Sequence, residues 1–383
     1  ANTGMMKREE FTLYEALKTK GYRTGHFGKW HMGTLTTKIK DANRGKPGDS
    51  KHYSAPWHHQ VDECLVTESK TPTYDPMIFP TKRGSKKNGW YPVTDADGED
   101  VGIYGTHYFT GEDEIVPVDS PKLKGDDSKI IVDYTIPFIR DAVEKKAPFF
   151  TIVWFHAPHL PCVAGPKHTK HYQDASEYFA NYNGCITALD EHVGRLRAEL
   201  RELGVAENTM VVFCSDNGPE GSAAKAPGSA ADFRGRKRSL YEGGIRVPGL
   251  IEWPAKIDGG GSTDFPAGTV DYFPTIMAAA GFEVPDDRPM DGLDLMDVFA
   301  GKAESRSAPL AFQDRSQWAL SDNRYKIYSK TKGKTWELYD LLEDRGETKD
   351  LAAEKPEIVQ KMAAQFMEWR DSCALSDAGG DYD

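Results

Sequence analysis

The sequence predicts a large mixed, mostly parallel α/β sheet sandwiched by helices, followed by a small C-terminal antiparallel α+β subdomain. Three observations carry this prediction. Two short runs, residues 149–155 and 209–214, are apolar, β-branched and aromatic, which is the character of strands buried on both faces. Helical patterns alternate with the strand patterns, as in sheets covered on both sides. From about Leu310 the texture changes to closely spaced short strands closed by one helix. The domain boundary is therefore placed at 309/310, with residues 1–309 as the α/β domain and 310–383 as the C-terminal subdomain.

Residues 11–20 read as a helix with Phe11, Tyr14 and Leu17 on one face, stopped by Gly21. A strand over 22–27 leads into Gly28-Lys29-Trp30-His31-Met32-Gly33. Residues 34–124 form a long polar stretch, unusual unless functional, with enough aromatics to predict ordered loops and short strands. Asp126 and Asp127 read as the cap of a helix over 129–145. The strand at 149–155 ends in His156-Ala157-Pro158-His159. A helix over 175–203 spaces Ile186, Leu189, Val193, Leu196 and Leu200 for one buried face. The strand at 209–214 runs into Ser215-Asp216-Asn217-Gly218. Further strands are predicted at 249–253, 318–321, 325–329 and 336–341, and further helices at 271–280 and 355–373.

Composition narrows the function classes. The chain has 383 residues, 39% hydrophobic, ample for a sizeable core. No stretch is long and apolar enough to cross a membrane. A formal net charge of -11 argues against general nucleic-acid binding, which needs a basic face. An anionic ligand stays compatible because local charge in a cleft outweighs the total, and the run Arg234-Gly235-Arg236-Lys237-Arg238 is locally basic. The five cysteines are widely spaced and form no zinc pattern, so most read as small buried hydrophobes.

Ligands of α/β sheets sit at the carboxyl ends of the strands. Three polar clusters, at 28–33, 157–159 and 216–218, follow predicted strands there. Taken singly they also read as turns, a capped loop or surface residues. Taken together and in order, residues 21–33, Ala157-Pro158-His159 with Pro161, Ser215-Asp216-Asn217-Gly218, residues 233–237 with 241–248, and Glu337-Leu338-Tyr339-Asp340-Leu341 resemble the formylglycine-dependent sulfatases of the alkaline phosphatase-like superfamily. Asp271-Tyr272-Phe273-Pro274-Thr275 and Asp291-Gly292 fit as well.

The resemblance implies a sulfuric ester hydrolase using formylglycine and calcium, with a sulfated small molecule or glycan as partner. It implies that Asp216 and Asn217 are calcium ligands, hard oxygen donors that suit that ion. It implies that Lys237 and His159 would grip the sulfate and assist the leaving alcohol, the histidine as a proton donor working near neutral pH. It implies as well that Lys29 and His31 would hold the formylglycine diol, with His31 helping to release sulfate. Maturation by a formylglycine-generating enzyme and export to the periplasm or outside are family expectations. His26, His107, His156 and His168 lack motif support and read as structural. Asp286-Asp287 lies in a proline-rich loop and carries no metal reading.

The family pattern breaks in one place. The Asp-Asp pair after the first strand and the Cys/Ser-x-Pro/Ala-x-Arg segment that yields formylglycine do not occur: the residues after Cys64, Cys162, Cys185, Cys214 and Cys373 do not match. A segment upstream of Ala1 is therefore expected to carry the nucleophile, and the 383 residues alone are expected to be inactive. Two other readings compete. One is a phosphoesterase of the same superfamily, which needs two transition metals and more His and Asp ligands than these. The other is an inactive paralogue that binds sulfated glycan.

Overall fold

The computed structural model describes residues 4–80, 102–223, 225–283 and 288–382, so Asp286 and Asp287 lie outside the described residues. The chain divides into two compact units, Ala1–Val205 and Ala206–Asp383.

In the first unit, helix α1 (Leu13–Lys18) opens on a capping box. Thr12 Oγ1 accepts the Glu15 N–H at 3.3 Å, and the Glu15 carboxylate accepts the Thr12 N–H at 2.7 Å. Strand β1 (Arg23–Lys29) then enters the middle of a five-stranded sheet. It pairs in parallel with β2 (Glu63–Thr67) on one side and β5 (Phe149–Trp154) on the other. Strands β3 (Phe109–Gly111) and β4 (Glu114–Ile115) extend the sheet antiparallel beyond β2, giving the order β4-β3-β2-β1-β5. Helix α2 (Asp127–Glu144) buries Ile130, Ile131, Ile136, Phe138, Ile139 and Ala142. Phe138 reaches Phe27 of β1 at 5.7 Å between ring centroids, so α2 covers the sheet at its centre. The short α3 (Pro166–Thr169) precedes α4 (Glu177–Glu202), which is joined to α2 by the ion pairs Arg140–Glu199 and Arg195–Asp133.

Asp126 caps α2 as expected, its carboxylate accepting the Lys129 N–H at 3.0 Å. Its carboxyl is pushed up to about 7, first by burial and then by the adjoining Asp127 charge, while the Lys129 N–H works against the rise. The strand expected to be buried on both faces is different in the structure. β5 stands at the end of the sheet, half-buried along its length, and Trp154 is 41% exposed. Its apolar composition records what the strand can bury, and the described residues cover it on one edge only.

His26 is structural, as expected. It is fully buried in β1, its Nε2–H donating to Lys29 O at 3.1 Å and its Nδ1 accepting from the Tyr14 hydroxyl at 2.6 Å. Burial lowers its pKa from 6.5 to about 4. The folded state thus favours the neutral ring, and this stability is complete above pH 6.5. It falls as the unfolded chain takes up a proton between 6.5 and about 4, by at most about 3 kcal/mol. We expect thermal melts to show the midpoint dropping through that window, and dropping less steeply in His26→Gln.

The second unit begins with β6 (Val211–Cys214), which pairs antiparallel with β7 (Gly249–Glu252) across α5 (Glu242–Ile245). β6 is less buried than the sequence predicts, with Phe213 37% exposed, and its partner β7 leaves Leu250 60% exposed. Helices α6 (Tyr272–Ala279) and α7 (Met296–Phe299) follow. Asp271 and Arg306 form a fully buried two-pronged ion pair at 2.7 and 2.8 Å ahead of α6. The C-terminal sheet contains β8 (Leu310–Asp314), β9 (Gln317–Ser321), β10 (Tyr325–Ser329) and β11 (Glu337–Asp340), all antiparallel, in the order β11-β10-β9-β8. Three of these strands were expected, and β8 was not. Helix α8 (Pro356–Asp377) closes the sheet by packing Met362 and Phe366 on Trp318, Leu320, Ile327 and Leu338. All five cysteines are free, and Cys64, Cys162 and Cys185 are buried as expected, whereas Cys214 and Cys373 are partly exposed.

Candidate active site

Each unit carries its own part of the predicted set. In the first unit, β1 ends in a tight turn. Gly28 has φ 105, and a Cβ there would stand 2.0 Å from Trp154 O, so only glycine lets β1 and β5 approach so closely. Trp30 is wholly buried, with its indole N–H on Ser54 O at 2.7 Å and its backbone N–H on Thr67 O at 2.8 Å. The residues flanking it lie outward: Lys29 is half-buried and His31 exposed. His31 has φ 55, and its N–H donates to Glu68 O at 3.0 Å. A left-handed backbone at a residue with a side chain costs about 1–3 kcal/mol, and such residues cluster at functional sites.

β5 ends beside β1, with Gly28 opposite Trp154 in a parallel register, so the segment after β5 leaves the same sheet edge as Lys29 and His31. Cis peptides at Ala157-Pro158 and Leu160-Pro161 flank His159. The His159 N–H donates to His156 O at 2.7 Å, and its Nδ1–H donates to Leu160 O at 2.7 Å. A proton fixed on Nδ1 makes Nε2 the end that takes up or releases a proton. His156 itself is buried against Asp127, in line with its structural reading. His168 pairs with Glu191 at 3.0 Å and His107 with the buried Asp41 at 2.8 Å.

In the second unit, Asp216 and Asn217 follow the carboxyl end of β6, Asp216 exposed and Asn217 half-buried. The turn is held from below: the Gly218 N–H donates to Gly244 O at 2.9 Å, and a Cβ on Gly218 would lie 1.9 Å from Gly243 O. The Lys237 N–H donates to Pro219 O at 3.1 Å, which brings the basic segment against the same turn. Within the basic run, Arg234 and Arg236 serve the fold. Arg234 lies 4.0 Å over the Tyr241 ring and donates to Tyr339 Oη and Glu347 O, both at 2.9 Å. Arg236 donates to the carbonyls of Glu220, Pro227 and Gly228. Lys237 remains beside Glu220, Nζ to Oε2 at 3.7 Å. Burial opposes charge on Glu220, but the Arg238 hydrogen bond and the Arg238 and Lys237 charges hold its carboxyl below the usual range. Sequence reasoning did not single out Glu220, although it lies two residues beyond Gly218.

The first unit therefore gathers Lys29, His31 and His159 at one edge of its sheet, and the second gathers Asp216, Asn217 and Lys237 around one turn. Among the described residues, no group of three or more His, Cys, Asp or Glu forms a metal cage. The donors that Asp216 and Asn217 supply are hard oxygens, the type that suits calcium or magnesium rather than a soft transition metal.

The architecture is the alkaline phosphatase-like α/β fold. A crystal structure of Ps i-CgsB in complex with k-i-k-neocarrahexaose matches with a TM-score of 0.74 and 24% identity, over 96% of this chain and 76% of that one. A phosphonate monoester hydrolase from Silicibacter pomeroyi shares the fold at a TM-score of 0.60 and 18% identity, over 97% and 81%. Within that class the chain belongs to the sulfatase family, whose profile matches residues 3–282. The C-terminal profile of N-sulphoglucosamine sulphohydrolase matches residues 234–372. Among relatives, a sulfatase of Formosa agariphila is 27% identical over 94% of this chain and 69% of its own length. Human arylsulfatase A is 27% identical over 94% and 71%. The N-acetylgalactosamine-6-sulfatase of Rattus norvegicus is 26% identical over 87% and 57%.

Proposed function

We propose that the chain is the greater part of a formylglycine-dependent sulfatase that removes sulfate from a sulfated carbohydrate. The observation that carries this reading is His159. It stands at the carboxyl end of β5, tautomer fixed through Nδ1, on the edge where β1 delivers Lys29 and His31. Family membership supplies the ester class. Two relatives named for carbohydrate substrates or ligands, and the aromatic-rich stretch 34–124, favour a sugar.

In this reading Lys237 opposes the charge of the bound sulfate and His159 Nε2 holds the proton that the departing alcohol needs. Lys29 and His31 would hold the nucleophile, and His31 would assist sulfate release. When bound, formylglycine would supply the attacking hydroxyl, and calcium, held in part by Asp216 and Asn217, would lower the cost of the charge around the sulfur. No cysteine here precedes x-Pro/Ala-x-Arg, so the nucleophile is assigned to a segment upstream of Ala1, matured by a formylglycine-generating enzyme. Export to the periplasm or outside belongs to the same proposal.

Asp216 and Asn217 fit calcium in donor type but offer two side-chain groups, whereas the ion takes about six to eight oxygens. The remaining donors are assigned to the upstream segment. Calorimetry on the 383-residue chain should accordingly show weak calcium binding that Asp216→Ala abolishes. Tight binding unaffected by that substitution removes Asp216 from the site.

A further inference from the structure

We propose that His156 is a positioning residue for His159, acting through a buried side-chain clamp that ties the His159 turn to the strand end bearing Lys29 and His31. The inference rests on the sulfatase reading for its catalytic meaning and on the first unit alone for its geometry.

The clamp is four side chains deep in the first unit. His156 Nδ1 meets Asp127 Oδ2 at 2.7 Å, both side chains wholly buried. His156 Nε2 meets Thr67 Oγ1 at 2.7 Å, and the Tyr108 hydroxyl donates to the other Asp127 oxygen. Thr67 Oγ1 also bonds Ser69 O at 2.7 Å. A carbonyl can only accept, so the single Thr67 proton goes to Ser69 and Thr67 Oγ1 receives its bond from His156 Nε2–H. The ring is thus fixed at both nitrogens and cannot rotate without leaving buried polar atoms unpaired, at about 1–3 kcal/mol each.

What the clamp joins gives it a function. The His156 carbonyl accepts the His159 N–H at 2.7 Å, so the backbone that His156 anchors is the backbone from which His159 projects. Thr67, on the other side, pairs with Lys29 across β1 and β2, and its carbonyl accepts the Trp30 N–H at 2.8 Å. The next carbonyl, of Glu68, accepts the His31 N–H at 3.0 Å. One imidazole therefore spans the two strand ends, and its length sets the spacing between His159 and the Lys29–His31 turn. A displacement of about 1 Å at a reacting group can cost on the order of a hundredfold in rate.

The test is a double-mutant cycle in the complete, matured enzyme with an alkyl and an aryl sulfate. His156→Gln, which keeps a donor for Thr67, should lower kcat on the alkyl ester by roughly tenfold, and His156→Phe by roughly a hundredfold, with the aryl ester far less affected. In a His159→Ala background either change should cost less than about twofold, because the residue it positions is gone. Equal losses on both esters and in both backgrounds overturn the proposal and leave His156 as packing. A second measurement needs no activity: nitrogen-15 histidine spectra of the 383-residue chain. They should show a slowly exchanging ring Nε2–H signal for His156, and Thr67→Val should abolish it and shift the His159 ring signals. Unmoved His159 signals overturn the clamp. If the matured enzyme cleaves no sulfate ester, the sulfatase reading falls, and these spectra still decide whether His156 positions His159.

Discussion

In the complete, matured enzyme, His159→Ala is expected to lower kcat/KM toward an alkyl sulfate by about 10²–10⁴-fold and toward an aryl sulfate by less than about tenfold. The difference follows from the leaving groups. An alkoxide is too basic to depart unprotonated, so it needs the proton held at His159 Nε2, whose place is fixed by the Nδ1–H bond to Leu160 O. A phenolate departs without help. Lys237→Ala is expected to behave differently and to lower both by about 10²–10³-fold, because in the proposed site its ammonium acts on sulfate charge common to both esters. Lys237→Ala also removes the ammonium 3.7 Å from Glu220 Oε2 and leaves that carboxylate with Arg238. Steady-state rates on the two ester types check the pattern. Equal losses with His159→Ala assign that histidine to sulfate binding instead of proton donation.

Lys326→Met is expected to lower the unfolding free energy by about 3–5 kcal/mol, the range for removing one partner of a buried charge pair. Lys326 sits in β10 with no exposed side-chain surface. Its Nζ lies 2.8 Å from Glu242 Oε1 and 3.0 Å from Glu347 Oε1. Burial pushes the Glu347 carboxyl up, against the pull of Lys326, so loss of the ammonium leaves two carboxylates facing each other in the core. Glu347→Gln added to Lys326→Met should recover part of the loss in urea denaturation, since one unpaired charge is removed. The same ion pair lies next to the candidate site, because Glu242 opens α5, whose Gly243 and Gly244 carbonyls crowd and bond Gly218 beside Asp216 and Asn217.

The strand ends bearing the candidate residues were legible because glycine, proline and polar residues interrupt apolar runs there. Lys29 closes β1, the His159 loop follows β5, and Asp216 follows β6. Helix starts were legible where caps were explicit, as at Asp126. Burial was less so. The residues of β5 and β6 read as doubly covered, yet Trp154 and Phe213 are exposed, since composition reports what a strand can bury and not what covers it. β8 was missed because Leu310–Asp314 is a short edge strand identified by its pairing with β9. The Asp127–His156–Thr67 clamp was also out of reach. Asp127 lies 29 residues from His156, and only the packing of α2 beneath the sheet brings them to 2.7 Å. Asp127 was expected to cap its helix with Asp126, and instead it serves that clamp.

The most direct test of the account is a substrate comparison on the complete gene product, including whatever lies upstream of Ala1. It should be coexpressed with a formylglycine-generating enzyme and assayed with calcium on matched aryl sulfate and aryl phosphate esters, beside the 383-residue chain alone. The account predicts that the complete protein hydrolyses the sulfate in preference to the phosphate and that the 383 residues alone hydrolyse neither. Preference for the phosphate with a requirement for two transition metals, or sulfate turnover by the 383 residues alone, would contradict it.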